Sequence, residues 1–78
     1  MEVDQLMKHH KHALSPSEHR IMHILIQGKT NKAIAQTLKL TEGSVETSLH
    51  RIYTKLGVDN RVKATLVYLQ LLNSSKQG

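Results

Sequence analysis

The stretch from Thr41 to Lys55 concentrates side chains able to bind a partner. It holds hydroxyls at Thr41, Ser44, Thr47, Ser48 and Thr54, an imidazole at His50, carboxylates at Glu42 and Glu46, and cations at Arg51 and Lys55. Hydroxyls and cations suit phosphate oxygens, while carboxylate, imidazole and hydroxyl groups can pair with the edges of nucleic-acid bases. Val45, Leu49, Ile52 and Leu56 run through the same stretch at steps of four, three and four. That spacing gives a helix one narrow apolar face and leaves the polar groups on the others. On pattern alone, a groove-reading helix and an ordinary amphipathic helix with a solvated face fit about equally.

Other chemistry is poorly served. The run Lys8-His9-His10-Lys11-His12 offers imidazoles, the commonest metal ligands, but no carboxylate or further ligand accompanies them at a fixed spacing. A solvated, partly basic leader is the expected reading, and no metal or cofactor is expected. The chain has no cysteine, which excludes disulfides and thiolate metal sites and suits a reducing, cytoplasmic setting. Serines and histidines are scattered over exposed helical positions, and 78 residues leave little material for a closed pocket, so an enzyme is not expected.

The elements that position the 41–55 stretch can be read from their ends. Ser15-Pro16-Ser17-Glu18 puts Ser at an N-cap, Pro at the first helical position and Glu three residues on, a capping box. Ile21, Met22, Leu25 and Ile26 follow at helical spacing, with Gly28 as the expected stop. Thr30 opens a second, short helix with Ile34, Ala35 and Leu38 as its buried stripe, and Leu40 is expected to end it. A third begins at Thr41 and stops at Gly57. A fourth starts near Asp59-Asn60-Arg61, where either Asp59 or Asn60 can cap it. Val62, Leu66, Val67, Leu69 and Leu72 give this last helix more apolar surface than one flank of a small core requires.

The predicted organisation is therefore all-α and four-helical. Residues 1–13 form a leader that is flexible or partly helical, 14–73 the domain, and 74–78 a disordered tail. No signal peptide or membrane-spanning run is present in the sequence. The formal charge of +5 favours a polyanionic partner, because each cation brought to a phosphate releases condensed counterions. There is no Trp or Phe, and only Tyr53 and Tyr68 supply aromatic rings. That argues against base stacking on an RNA platform and leaves double-stranded DNA as the better polyanion.

Two helices joined by a turn of roughly three or four residues, the second polar outside, make a helix-turn-helix. In that motif the second helix lies in the major groove and the first braces it across the backbone. Small side chains at Ser44, Thr47 and Ser48 allow close approach. The hydroxyls of Thr41 and Ser44, with the helix N-terminal amides, can hold a phosphate.

Residues 14–72, about three quarters of the chain, resemble the LuxR/NarL/GerE family of bacterial helix-turn-helix domains. The resemblance rests on Leu14-Ser15-Pro16-Ser17-Glu18, Gly28, Thr30-Asn31-Lys32-Ala33-Ile34-Ala35, Leu38, Thr41-Glu42-Gly43-Ser44-Val45-Glu46, Ile52-Tyr53-Thr54-Lys55-Leu56-Gly57-Val58, and Asp59-Asn60-Arg61 with Ala64. It implies a transcriptional regulator of the kind found as a response-regulator effector domain. The third helix would sit in the major groove, and the fourth would pair two subunits through Val62, Leu66, Leu69 and Leu72. The expected base contacts are Glu46, Thr47 and His50. The expected phosphate contacts are Lys29, Thr30, Asn31, Lys32, Thr41, Ser44, Ser48, Arg51, Lys55 and Arg61. Partners would be double-stranded DNA, a second copy of the chain, and bacterial RNA polymerase or another regulator, with no membrane.

Two departures from the family pattern bear on this. Glu46 stands where a groove-facing Lys is frequent, so the acids Glu42 and Glu46 offset Arg51 and Lys55 across the third helix. A glutamate is repelled by phosphates but can accept a hydrogen bond from cytosine N4. Ala33 stands where the family often has Glu, which leaves Thr30 without a capping-box partner. The neutral third helix gives weight to a second reading, a helix-turn-helix that binds another regulator instead of DNA. A chain starting at its own Met1 would be a stand-alone regulator, and an excised fragment would lack a sensory or receiver domain.

Overall fold

A computed structural model describes residues 13–77, with side-chain environments for 13–74. The leader and its histidine run lie outside the described residues, apart from Ala13. Four helices follow in chain order: α1 Pro16–Leu25, α2 Asn31–Leu38, α3 Glu42–Leu56 and α4 Arg61–Gln77. No strand occurs among the described residues, so the fold is all-α with four helices, as the sequence predicts.

Local chemistry accounts for the helix starts. Ser15 accepts the backbone N–H of Glu18 at 3.2 Å, and the Glu18 carboxylate accepts that of Ser15 at 2.8 Å, completing the capping box with Pro16 in the first turn. Thr30 caps α2 through the Ala33 N–H at 3.1 Å, half of a capping box, as Ala33 dictates. Thr41 caps α3 through the Ser44 N–H at 3.0 Å, so the first helical residue is Glu42. Of the two candidates for α4, Asn60 is the cap: its side-chain oxygen accepts the Lys63 N–H at 2.9 Å.

The helix ends differ more from expectation. α1 gives way to turns at Ile26, and Gly28, with φ +86°, closes the loop two residues later. α2 stops at Leu38, short of the expected Leu40, because Lys39 adopts φ +61°, ψ +45°. The Leu40 N–H then bonds back to the Ala35 carbonyl at 2.8 Å, the six-to-one closure usually built on glycine. A lysine gives no sequence signal for that geometry. Gly57 ends α3 as expected, with φ +73° and the Val58 N–H on the Tyr53 carbonyl at 2.9 Å. α4 continues to Gln77, past the boundary expected at residue 73, since Asn73-Ser-Ser-Lys-Gln contains no glycine or proline to break it.

The core takes Ile21, Met22 and Leu25 from α1, Ile34 and Ala35 from α2, Val45, Leu49 and Ile52 from α3, and Ala64 and Tyr68 from α4. Leu14, Ile24, Ile26, Leu38, Tyr53, Leu56 and Val58 pack around it, half-buried. Ile26, Leu38 and Leu56 therefore sit at the edge of the core instead of inside it. The largest surprise is α4. Its core contribution is a small residue and a tyrosine, while Val62 is 68% exposed and Leu66 58%. α4 meets α1 through other residues, among them Tyr68 against His19, so Val62 and Leu66 take no part in that packing.

Candidate nucleic-acid interface

The helix α3 is held from beneath by Val45, Leu49 and Ile52, all buried, and packs against both α1 and α2. That anchoring turns Glu42, Glu46, Thr47, His50, Arg51 and Thr54 outward, all exposed. Near its N-terminus Thr41, Gly43, Ser44, Thr47, Ser48 and Arg51 line one shallow, open depression. The Thr41 hydroxyl donates to the Ser44 hydroxyl at 3.1 Å. Four hydroxyl side chains, the N-terminal end of α3 and the Arg51 guanidinium thus line one surface, an arrangement suited to an anionic phosphate.

The structure brings together some of the expected phosphate contacts and gives others a different occupation. Lys29, Lys32 and Arg51 are exposed, and none of them makes a side-chain hydrogen bond or ion pair among the described residues. Lys55 is different. Its ammonium lies 2.8 Å from the carboxylate of Glu18, with side-chain exposures of 22% and 5%. Burial raises the pKa of the Glu18 carboxyl, but the hydrogen bonds from Lys55 and the Ser15 amide outweigh it, and the group ends below the ordinary glutamate range.

Arg61 is likewise engaged. One guanidinium nitrogen donates to the Lys29 carbonyl at 2.8 Å and another to the Asn31 side-chain oxygen at 2.6 Å, clamping α4 to the α1–α2 loop. Asn31 is half-buried by the same contact. Lys55 and Arg61 hold helices together, and the outward face of α3 carries Glu42 and Glu46 against Arg51 alone. Thr30 and Ser44 keep their hydroxyls at helix N-termini, and Ser48 is half-buried.

Sequence reasoning identified Glu18 as a cap but not as the partner of Lys55, 37 residues away. It also left Tyr68 without a role. That ring is buried and its hydroxyl is hydrogen-bonded to His19 Nδ1 at 2.9 Å. A tyrosine amid aliphatic residues on a late helix was the available signal.

On the apolar side of α4, Val62, Leu66, Leu69 and Leu72 are all exposed, from 68% at Val62 to 36% at Leu72. No helix among the described residues is long and apolar enough to cross a membrane.

A short α2, a tight three-residue turn at Lys39–Thr41 and a long α3 polar on its outer face define a helix-turn-helix regulator domain. The model of the luxR family of bacterial regulatory proteins matches residues 12–68. The chain belongs to that family. It is 39% identical to the nitrate/nitrite response regulator protein NarP of Escherichia coli (strain K12) over 73% of this chain and 26% of that protein. It is 44% identical to the probable HTH-type transcriptional regulator GfsR of Streptomyces halstedii, over 73% of this chain and 24% of that one. Among solved structures, the DNA-binding domain of the response regulator ComA, in complex with the anti-activator RapF, matches with TM-score 0.69 and 40% identity, covering 70% of this chain and 95% of that domain. The chain spans about a quarter of the length of these curated relatives.

Proposed function

We propose that this chain binds double-stranded DNA sequence-specifically as a bacterial transcriptional regulator in the cytoplasm, by contact and without catalysis. The observation that carries the reading is the outer face of α3. Its N-terminal half offers small hydroxyls and helix amides for a phosphate, beside Glu46, Thr47 and His50 on a rigidly seated helix. In this reading α3 enters the major groove, and a second copy pairs through Val62, Leu66, Leu69 and Leu72 to read a two-fold-related site. The relatives, all named as regulators, support it.

Selection of binding sites from random duplex DNA tests the proposal. A recovered motif with two related half-sites is the expected result. An unenriched pool would remove it.

A second reading has its own observation. Two acids against one free cation on the outer face of α3 fit a basic protein surface better than a bare polyanion, and the ComA domain was solved with another regulator. In that case the chain docks on a regulator through α3 or α4. Anisotropy titration of duplex DNA at two salt concentrations separates the two, since DNA affinity falls steeply with salt.

A further inference from the structure

The outer side of α1 carries two histidines that the DNA-binding reading does not use. His19 and His23 are four residues apart, so their side chains stand one above the other on a single helical face. Both are exposed, and both line one shallow depression with Arg20, Ile24, Leu38 and Tyr68. Paired imidazoles at this spacing are the ligand geometry that zinc-binding helices employ.

The second feature is the partner of His19. Its Nδ1 is hydrogen-bonded to the Tyr68 hydroxyl at 2.9 Å, and the two rings meet at 5.7 Å between centroids with a 51° tilt. The phenol oxygen carries a lone pair that can accept from a ring N–H. In the tautomer that donates from Nδ1 to the Tyr68 oxygen, the lone pair of His19 lies on Nε2, the nitrogen left for a metal ion. Metal-bound histidines generally have the ring nitrogen not used for ligation fixed by such a hydrogen bond.

We propose that His19 and His23 form a two-imidazole chelate for a divalent late first-row transition metal ion, with the Tyr68 hydroxyl positioning the His19 ring. Imidazole nitrogen selects zinc, nickel and copper over magnesium or calcium, which prefer oxygen. No third His, Cys, Asp or Glu joins the pair among the described residues, so water completes the coordination. Arg20, exposed on the rim of the same depression, opposes a cation and limits the affinity. Because Tyr68 belongs to the core on α4, metal binding ties the α1 surface to α4.

The test is a titration of the full chain with ZnCl2, followed through histidine ring signals by NMR. The expected result is one saturable 1:1 transition shifting His19 and His23 together, with MgCl2 inert. His23→Gln should weaken zinc affinity at least tenfold and Tyr68→Phe roughly tenfold. Replacing His9, His10 and His12 together with Gln should leave the transition in place. The proposal is overturned if His23→Gln binds zinc as the parent does, if the shifts centre on the leader histidines and vanish with their replacement, or if no saturation is reached. Folded spectra of His23→Gln and Tyr68→Phe keep lost affinity distinct from lost structure.

Discussion

The Lys55 ammonium and the Ser15 amide converge on one oxygen of Glu18, each at 2.8 Å. One carboxylate therefore caps α1 and pins the C-terminal end of α3 to it. Lys55→Met should lower stability by about 1–2 kcal/mol, because a nearly buried carboxylate loses its counter-charge while keeping its backbone donor. Urea unfolding at neutral pH measures this. An unchanged midpoint would show the pair to be inert.

The same pair sets a pH dependence. The folded-state pKa of Glu18 is lowered, so its stabilising effect is complete above the unfolded glutamate value of about 4.3 and is lost as pH falls through the folded value. The parent should therefore exceed Glu18→Gln in stability at pH 7, and the gap should narrow steadily below about pH 4. Parallel unfolding curves for the two proteins across pH 3–7 isolate this carboxyl from the others.

Lys39 carries a side chain in the left-handed region, at φ +61°. Such a conformation costs about 1–2 kcal/mol in a residue with a Cβ, offset in part by the greater freedom of glycine when unfolded. Lys39→Gly should stabilise the domain by about 0.5–1 kcal/mol, a rise in Tm of roughly 2–8 °C for this size. Calorimetry reads it directly, and a lower Tm would contradict the strain argument.

The free and the engaged cations should part company in DNA binding. Replacing Lys29, Lys32 or Arg51 with Ala should each reduce the slope of log affinity against log salt by about 0.9 per subunit. Lys55→Met, where the cation is held by Glu18, should leave the slope as it is. Equal loss of slope from Lys55→Met would return that residue to the phosphate contacts.

Glu46 is exposed in mid-helix on α3, and its carboxylate can accept from cytosine N4. Glu46→Gln should relax base preference at one position of the selected site by about 1–3 kcal/mol, while overall affinity rises slightly as an anion leaves the interface. Identical preferences in parent and variant would take Glu46 out of base reading.

The apolar stripe of α4 gives the last expectation. Val62→Glu with Leu66→Glu should abolish self-association in sedimentation and weaken binding to a two-half-site duplex. Monomer stability should stay within about 0.5 kcal/mol, since both positions are exposed.

The sequence by itself determined what depends on neighbours within one turn of chain. Ser15, Thr30 and Thr41 are caps because a hydroxyl there meets an amide three residues on. Gly57 ends α3 because it adopts positive φ without a steric penalty. The buried stripe Val45/Leu49/Ile52 follows from helical period alone. Only the tertiary structure decided which charges are free and which face of α4 is buried. Lys55 finds Glu18 across 37 residues and Arg61 reaches Asn31 across 30, and through-space pairing of that kind leaves no local signature. α4 is apolar on several sides, so hydropathy could not choose among them. The space left by the other three helices admitted Ala64 and Tyr68 and left Val62, Leu66 and Leu69 outside. The third helix remains the candidate reader, but with Lys55 withdrawn from its outer face.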